Sequence, residues 1–277
     1  MPNGAGAGPL RRLCLKPKTD RIRRVKLATN SFGAPTATPP LLIVHGLFGS
    51  GRNWAGMARR LSDQRHVITV DLRNHGDSPW ADANSYADLA ADLAEVIAPF
   101  GEMDVLGHSM GGKAAMLLAL GQPAIVNRLI VADIAPTRYT HSHASYIRAM
   151  MALPLDTLAS RAAADSALAA TVHDAGTRAF LMHSLDLRAD PPQWRLNLPA
   201  LLAAMDQIIG WPDSTGVFSG PALFLTGARS PYVTAQHHDK IRTLFPAAQI
   251  DALADAGHWL HVEQPTAFET AVRAFLV

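Results

Sequence analysis

The chain has 277 residues, of which 48% are hydrophobic and 17% charged, and its formal net charge is +2 at pH 7. This composition is typical of a globular protein with one large core, and α/β folds of this length are often a single domain. The single cysteine, Cys14, excludes an internal disulfide framework and a cysteine-based metal cluster, and no run of about 18 apolar residues indicates a membrane span.

The N-terminal segment is basic, because eight of the 25 Lys and Arg residues lie in residues 1–30 beside one acid, Asp20. Such an arm can bind nucleic acid or an anionic membrane, but this one lacks interleaved aromatic residues and a zinc or recognition-helix pattern. We therefore interpret residues 1–20 as a disordered lead-in and expect no nucleic-acid or membrane partner. The segment lacks the apolar stretch of a secretory signal, and Pro9 and Pro17 interrupt any transit helix, so a cytoplasmic protein is expected.

Short apolar runs then alternate with helical patterns. Strands are predicted at residues 22–29, 41–44, 66–70, just before Ser109, and at 128–131, 221–226 and 249–253. Helices are predicted at residues 53–61, 85–98, 113–120, 235–245 and 266–275. This alternation indicates βαβ units, a mostly parallel sheet flanked by helices, and functional loops at the carboxyl ends of the strands. The polar loop 71–78 is interpreted as a hydrogen-bonded turn that braces its neighbours.

The alternation stops at residues 137–219, which are rich in Ala and Leu, contain no Lys or Glu, and show no convincing strand. We interpret this segment as a helical cap inserted into a core formed by residues 21–136 and 220–277. Its Met and Trp side chains either form the core of the cap or line an apolar pocket above the functional loops.

Ser109 lies in a G-x-S-x-G pattern between an apolar run and a helical pattern. Such a turn holds the serine in a strained conformation and exposes its hydroxyl, while Gly107 and Gly111 let strand and helix approach. The helix N-terminus brings free amides and a positive dipole end to the same place, so the Met110 amide is predicted to donate to an oxyanion.

A serine hydroxyl needs a base to become a good nucleophile. His258 is the candidate base, since it follows the last predicted strand and Gly257 lets its loop fold towards the sheet. His141-x-His143 and the group 237–239 do not form helical metal pairs and are interpreted as solvated histidines, so no metal and no cofactor are expected.

Four segments together resemble the α/β-hydrolase superfamily over residues 22–277. They are His45-Gly46-Leu47-Phe48-Gly49, Arg73-Asn74-His75-Gly76, Gly107-His108-Ser109-Met110-Gly111-Gly112 and Gly257-His258-Trp259. Asp133-Ile134-Ala135-Pro136 and Ser230-Pro231-Tyr232-Val233 are similar to the esterase branch that contains the bacterial YbfF esterases and the eukaryotic abhydrolase-domain 11 proteins. The resemblance implies an α/β-hydrolase fold and serine hydrolysis of short to medium acyl esters or thioesters without a cofactor.

The acid of the triad departs from the usual superfamily position, because residues 227–230 after the strand 221–226 contain no carboxylate. Asp133, at the carboxyl end of the strand that follows the nucleophile unit, is the substitute we favour. Adjacent strands lie about 4.8 Å apart, so this carboxylate can reach a histidine loop. Ser230 would then be an auxiliary hydrogen-bonding group at the vacated site. In the alternative, Asp133 only caps a turn and no acid is used.

The second oxyanion donor is assigned to the backbone amide of Leu47, after the first buried strand, with Phe48 as the near alternative. Phe48, His108 and Trp259, each next to a predicted catalytic or oxyanion residue, are expected to contact a small-molecule substrate. The sequence therefore predicts a serine esterase, either a monomer or a homodimer, that works through an acyl-enzyme. The alternatives are an acyl-CoA thioesterase or a carbon-carbon bond hydrolase with the same triad, and a non-catalytic ligand-binding protein.

Overall fold

The computed structural model describes residues 24–158, 160–214 and 216–277, so the predicted lead-in 1–20 lies outside the described residues. The strands of the described part are β1 (Thr29–Phe32), β2 (Leu41–Val44), β3 (Val67–Val70), β4 (Met103–His108), β5 (Val126–Ala132), β6 (Leu185–Asp186), β7 (Gln193–Trp194), β8 (Ala222–Gly227) and β9 (Ala248–Leu253). Its helices are α1 (Ala55–Leu61), α2 (Tyr86–Ile97), α3 (Met110–Gly121), α4 (Ala144–Met151), α5 (Arg161–Leu168), α6 (Ala175–Met182), α7 (Leu198–Ala203), α8 (Met205–Ile209), α9 (Ala235–Leu244), α10 (Leu260–Glu263) and α11 (Pro265–Phe275).

Within the described residues, seven strands form one sheet in the order β1-β3-β2-β4-β5-β8-β9. Every neighbouring pair is parallel except β1 with β3. Strands β2, β3, β4 and β8 are buried along their whole length, as expected for apolar runs that are covered on both faces. The mostly parallel sheet predicted from the alternation is therefore confirmed.

Helices cover both faces of this sheet. Leu42 and Val44 point to the face covered by α2 and α3, whereas Leu41 and Ile43 point to the face covered by α1 and α11. This is the period-two alternation of a strand with two buried faces. Ser85 caps α2 as predicted, because its side chain accepts from the backbone amide three residues later, a contact that stabilises a helix by about 1 kcal/mol.

The edge strand begins later than predicted. Its expected range was 22–29, but β1 starts at Thr29 and pairs antiparallel with β3. The apolar alternation before it reflects a different contact, because Leu27 is buried in the core and the Val25 amide donates to the Asp92 carboxylate on α2 at 2.9 Å. This stretch is therefore anchored to α2, and it contacts the end of β3 through the Ala28 carbonyl, which accepts from the Asp71 amide at 2.9 Å.

Residues 137–219, which we call the helical insert, leave the sheet after β5 and return at β8, and they contain α4 to α8. The insert also contains an antiparallel pair, β6 with β7, which the sequence analysis did not predict. Each strand has only two residues, too few to show an alternation. The Trp194 indole donates to the Met150 carbonyl at 2.9 Å and fixes the pair on α4. No helix within the described residues is long and apolar enough to cross a membrane.

Candidate active site

Ser109 lies at the turn between β4 and α3. Its φ of 53° and ψ of −120° are values that L-residues rarely adopt, and such strain costs about 1–3 kcal/mol. A Cβ atom at Gly107 would lie 2.4 Å from the Gly111 carbonyl oxygen, and one at Gly111 would lie 2.3 Å from the carbonyl oxygen of His45. Side chains at these two positions would therefore prevent β4, α3 and the loop after β2 from closing around Ser109.

His258 lies in the loop after β9, between Ser109 and Asp133. Its Nε2 is 3.1 Å from Ser109 Oγ, and its Nδ1 is 2.7 Å from Asp133 Oδ2. When Nδ1–H donates to the carboxylate, Nε2 is the nitrogen that can accept the serine proton. The Asp133 side chain is fully buried, whereas 22% of the imidazole surface is exposed, so a substrate can reach the ring.

Asp133 is the first residue after β5 and has a φ of 51°. The Gly227 amide donates to its Oδ1 at 3.0 Å, and the Ser230 hydroxyl donates to its Oδ2. Both donors come from the end of β8, which pairs with β5. A buried carboxylate needs such donors because burying an unpaired charge is unfavourable. By contrast, Asp239 and Asp255 are exposed.

Tyr232 makes a contact with His258 that the sequence analysis missed. Its ring stacks on the imidazole with centroids 4.1 Å apart and planes 20° apart, and its carbonyl accepts from the Tyr139 hydroxyl at 2.7 Å. Burial and the negative charge of Asp133 raise the pKa of Tyr232 to about 12, so the phenol stays neutral. The Ser-Pro-Tyr-Val segment drew attention to this residue, but no periodicity indicates where its ring lies.

His108 lies behind His258 and lines neither of the cavities described below. Its Nε2–H donates to the His258 carbonyl oxygen at 2.9 Å, and the two rings lie 4.8 Å apart. Burial lowers the pKa of His108 well below its usual value. The sequence predicted a substrate contact for this residue, but the structure places it where it holds the main chain of the histidine loop.

The amides predicted for an oxyanion hole belong to Leu47 and Met110. No hydrogen bond within the described residues uses the Leu47 amide, and Met110 begins α3, so its amide has no partner in its own helix. The alternative donor, the amide of Phe48, is already directed at His75 Nε2, 3.3 Å away. Phe48 has a φ of 65°, an outlier for a bulky residue.

Two buried histidines brace this turn. His75 accepts from the Phe48 amide, and its Nδ1–H donates to the Arg73 carbonyl at 2.9 Å. His45 Nε2 accepts from the Leu72 amide at 2.9 Å. Burial lowers the pKa of His45 to about 4 and that of His75 to about 3, so each ring is neutral and has one donor and one acceptor. The loop after β3 therefore supports the turn after β2, as interpreted from the sequence.

Two cavities within the described residues are lined by predicted site residues. The smaller, about 40 Å³, is lined by Ser109 itself together with Leu47 and Met110. The larger is a cleft of about 1120 Å³ between the core and the insert, and it is lined by Phe48 and Trp259. Because a reacting acyl carbon must reach Ser109 Oγ, the smaller cavity is the one that bears on the chemistry.

His141 and His143 were interpreted as solvated histidines; His141 is exposed and His143 is half-buried, and both line the smaller cavity. The segment just before α4 lines the cavity of Ser109, and the ring of His143 packs edge-on against that of Phe48 with the centroids 6.2 Å apart. Burial lowers the pKa of His143 to about 4. Among the described residues, no group of three or more His, Cys, Asp or Glu side chains could hold a metal ion.

Comparison with known proteins agrees with this fold. The model of the alpha/beta hydrolase family matches residues 41–271. The sn-1-specific diacylglycerol lipase ABHD11 of Mus musculus is 41% identical over 265 residues, which cover 92% of this chain and 86% of the mouse protein. Esterase YbfF of Escherichia coli (strain K12) is 35% identical over 240 residues, 86% of this chain and 92% of that protein. A solved marine microorganism esterase has a TM-score of 0.86 and 34% identity, and the match covers 91% of this chain and 99% of that one.

Proposed function

The chain belongs to the alpha/beta hydrolase family and is a carboxylic-ester hydrolase, and we propose that it works through an acyl-enzyme on Ser109. The resemblance and the α/β-hydrolase fold predicted from the sequence are confirmed. In the proposal, His258 is the general base and Asp133 is the acid that orients it. The observation that carries it is the continuous line of hydrogen bonds from the Ser109 hydroxyl through His258 to the Asp133 carboxylate.

In the acylation step, Ser109 Oγ attacks the acyl carbon of the ester and gives its proton to Nε2 of His258. The backbone amides of Leu47 and Met110 stabilise the oxyanion of the tetrahedral intermediate. The intermediate collapses, the bond to the alcohol breaks, and the alkoxide takes the proton from His258. Asp133 stabilises the imidazolium while it exists, and Ser230 keeps the carboxylate oriented.

In the deacylation step, a water molecule gives a proton to His258 and attacks the acyl carbon of the acyl-enzyme. The second intermediate collapses to the carboxylic acid, and Ser109 regains its proton from His258. No cofactor takes part in either step. The rings of Tyr232 and His108 support this cycle because they hold the imidazole and its loop from two sides.

We also propose that the helical insert, residues 137–219, acts as a cap over a core of residues 21–136 and 220–277. Its support is that insert residues Tyr139, His143, Ile208 and Ile209 line the cavity that contains Ser109. Residues Phe48 and Trp259 in the larger cleft then face the leaving group. In this proposal the substrates are esters with short to medium acyl chains. The cytoplasmic location and the monomeric or homodimeric state of the protein remain predictions.

Labelling with a fluorophosphonate, followed by peptide mapping, tests the proposal. We expect one labelled peptide, the one that contains Ser109, and no label on the Ser109→Ala variant. Rates should then be measured on p-nitrophenyl esters of increasing acyl length beside matched acyl-CoAs. A protein that takes no label and cleaves none of these compounds would contradict the proposed mechanism, and faster cleavage of acyl-CoAs than of esters would favour a thioesterase.

A further inference from the structure

Lys113 lies one helical turn after Ser109 on α3, is 1% exposed, and has no carboxylate partner within the described residues. Its Nζ donates to the carbonyl oxygens of Ile209 at 3.1 Å and of Gly210 at 2.5 Å. The same atom lies 4.8 Å from the centre of the Tyr139 ring. A buried ammonium group needs such oxygens and aromatic faces in place of water. Burial lowers the pKa of Lys113 to about 7, and the amine, which keeps at least two N–H donors in either protonation state, is held by the main chain and one ring of the insert.

Tyr86 on α2 completes this contact between core and insert. Its hydroxyl donates to the Ile208 carbonyl at 2.6 Å, and its side chain is buried. Three successive carbonyls at the end of α8 are thus bound by two core side chains. The last carbonyls of a helix have no partner within it, and they carry the negative end of the helix dipole. The Tyr86 hydroxyl on α2 and the Lys113 amine on α3 therefore hold the end of α8, because both donate hydrogen bonds to its last carbonyls.

This end of α8 forms part of the cavity around the nucleophile. Ile208 and Ile209 line that cavity together with Ser109 and Lys113. A volume of about 40 Å³ holds roughly three water-sized groups, because one group needs about 10–15 Å³. The carbonyl carbon and oxygen of an acyl group fill two of these places, which leaves room for roughly one or two further carbons. A displacement of α8 would enlarge the cavity at the wall formed by the two isoleucines.

We propose that Lys113 and Tyr86 are positioning residues that fix this isoleucine wall and restrict the enzyme to acyl groups of about two to three carbons. The inference rests on the proposed acyl-enzyme at Ser109 and narrows its substrates to esters of short acyl groups. Neither side chain takes part in bond making. Their effect is to set how far an acyl chain can extend from Ser109 before it meets Ile208 and Ile209.

The test compares Lys113→Met and Tyr86→Phe with the wild-type chain on p-nitrophenyl acetate, butyrate, hexanoate and octanoate. Methionine fills similar space without donors, and phenylalanine keeps the ring of Tyr86. We expect the ratio of kcat/KM for octanoate to that for acetate to rise about tenfold in Lys113→Met and about threefold in Tyr86→Phe. For acetate, KM should rise while kcat changes little, because ground-state and transition-state binding are lost together.

Lys26→Met is the matched control, since Lys26 is an exposed lysine before β1, and its chain-length ratio should equal that of the wild type. A thermal midpoint for each variant separates folding from selectivity. If Lys113→Met does not fold, Tyr86→Phe decides the question alone. A folded variant with an unchanged ratio, or a wild-type enzyme that prefers octanoate, overturns the inference but leaves the acyl-enzyme intact. A wild-type chain that takes no fluorophosphonate label and cleaves no ester overturns both.

Discussion

The hydroxyl of Ser230 donates to Oδ2 of Asp133. The same oxygen lies 2.7 Å from Nδ1 of His258, so a neutral hydroxyl and the imidazole share one acceptor. Only the carboxylate can offset a positive charge on the ring, whereas the hydroxyl can only orient the carboxylate. The two residues should therefore differ greatly in their effect on turnover.

Asp133→Asn keeps the shape of the acid but removes its charge and can favour the wrong tautomer of His258. We expect kcat on an activated ester to fall by about 10⁴, as for the corresponding change in serine proteases. Asp239→Asn and Asp255→Asn, at two exposed carboxylates, are controls and should stay close to wild type. A severe loss in either control together with an active Asp133→Asn variant would show that another carboxylate is the acid.

Ser230→Ala removes one hydrogen bond to Asp133 and leaves the charge in place. We expect kcat to fall by roughly ten- to a hundredfold, which corresponds to about 1.4 to 3 kcal/mol. The measurement is steady-state kinetics on the same ester. A loss of kcat as large as that of Asp133→Asn would mean that Ser230 does more than orient the Asp133 carboxylate.

Ser109→Ala should fold as the wild type does and lose kcat by about 10⁶, which leaves only the contributions of the oxyanion donors and of binding. The checks are kcat and a thermal midpoint measured on the same preparation. Esterase activity comparable to that of the wild type in this variant would exclude Ser109 as the nucleophile.

His75→Ala should reduce kcat by about ten- to a hundredfold with little change in KM. The substitution removes the acceptor of the Phe48 amide, so the turn that carries the Leu47 amide is held less firmly. An oxyanion donor is effective only when it is held in place. His75→Gln should lose less, since its amide oxygen can still accept from Phe48. His173→Ala, at an exposed histidine in the insert, is the control. Equal kinetics for all three variants would show that the brace does not affect the reaction.

Acid should destabilise the fold between pH 6.5 and 4. Burial lowers the pKa of His45 and His143 to about 4 and that of His75 and His261 to about 3. In this range the unfolded chain binds protons that the folded chain does not. The free energy of unfolding therefore falls as pH falls, by up to about 1.4 kcal/mol per pH unit for each histidine.

Urea unfolding at pH 7, 6, 5 and 4 measures this slope. His45→Gln should reduce it, because one of the buried rings is then absent. A free energy of unfolding that stays constant between pH 7 and 5 would contradict the prediction.

The sheet and the position of Ser109 could be predicted because their signals are local. β2 is an unbroken apolar run buried on both faces, and the two glycines around Ser109 are required by the turn itself. Asp133 could be nominated because one neighbouring strand ends there and the usual position lacks a carboxylate.

Contacts between distant segments could not be predicted. The ring of Tyr232 meets His258 across two loops, and Lys113 meets Gly210 across 97 residues of chain. Neither contact produces a periodic pattern in the amino-acid sequence. The same limit explains why His143 was interpreted as solvated, since only the path of the insert brings it to the cavity of Ser109.

Phe48, Ser109 and Asp133 all have positive φ values although none is a glycine. Each such residue costs about 1–3 kcal/mol, a large share of the roughly 5–15 kcal/mol that stabilises a typical domain. At Phe48 and Asp133 the buried ring and the hydrogen-bonded carboxylate offset this strain, but the small, half-buried side chain of Ser109 offsets little of it. A search for thermostable variants without an activity readout should therefore select glycine at position 109, and the proteins it returns would resist heat but no longer hydrolyse esters.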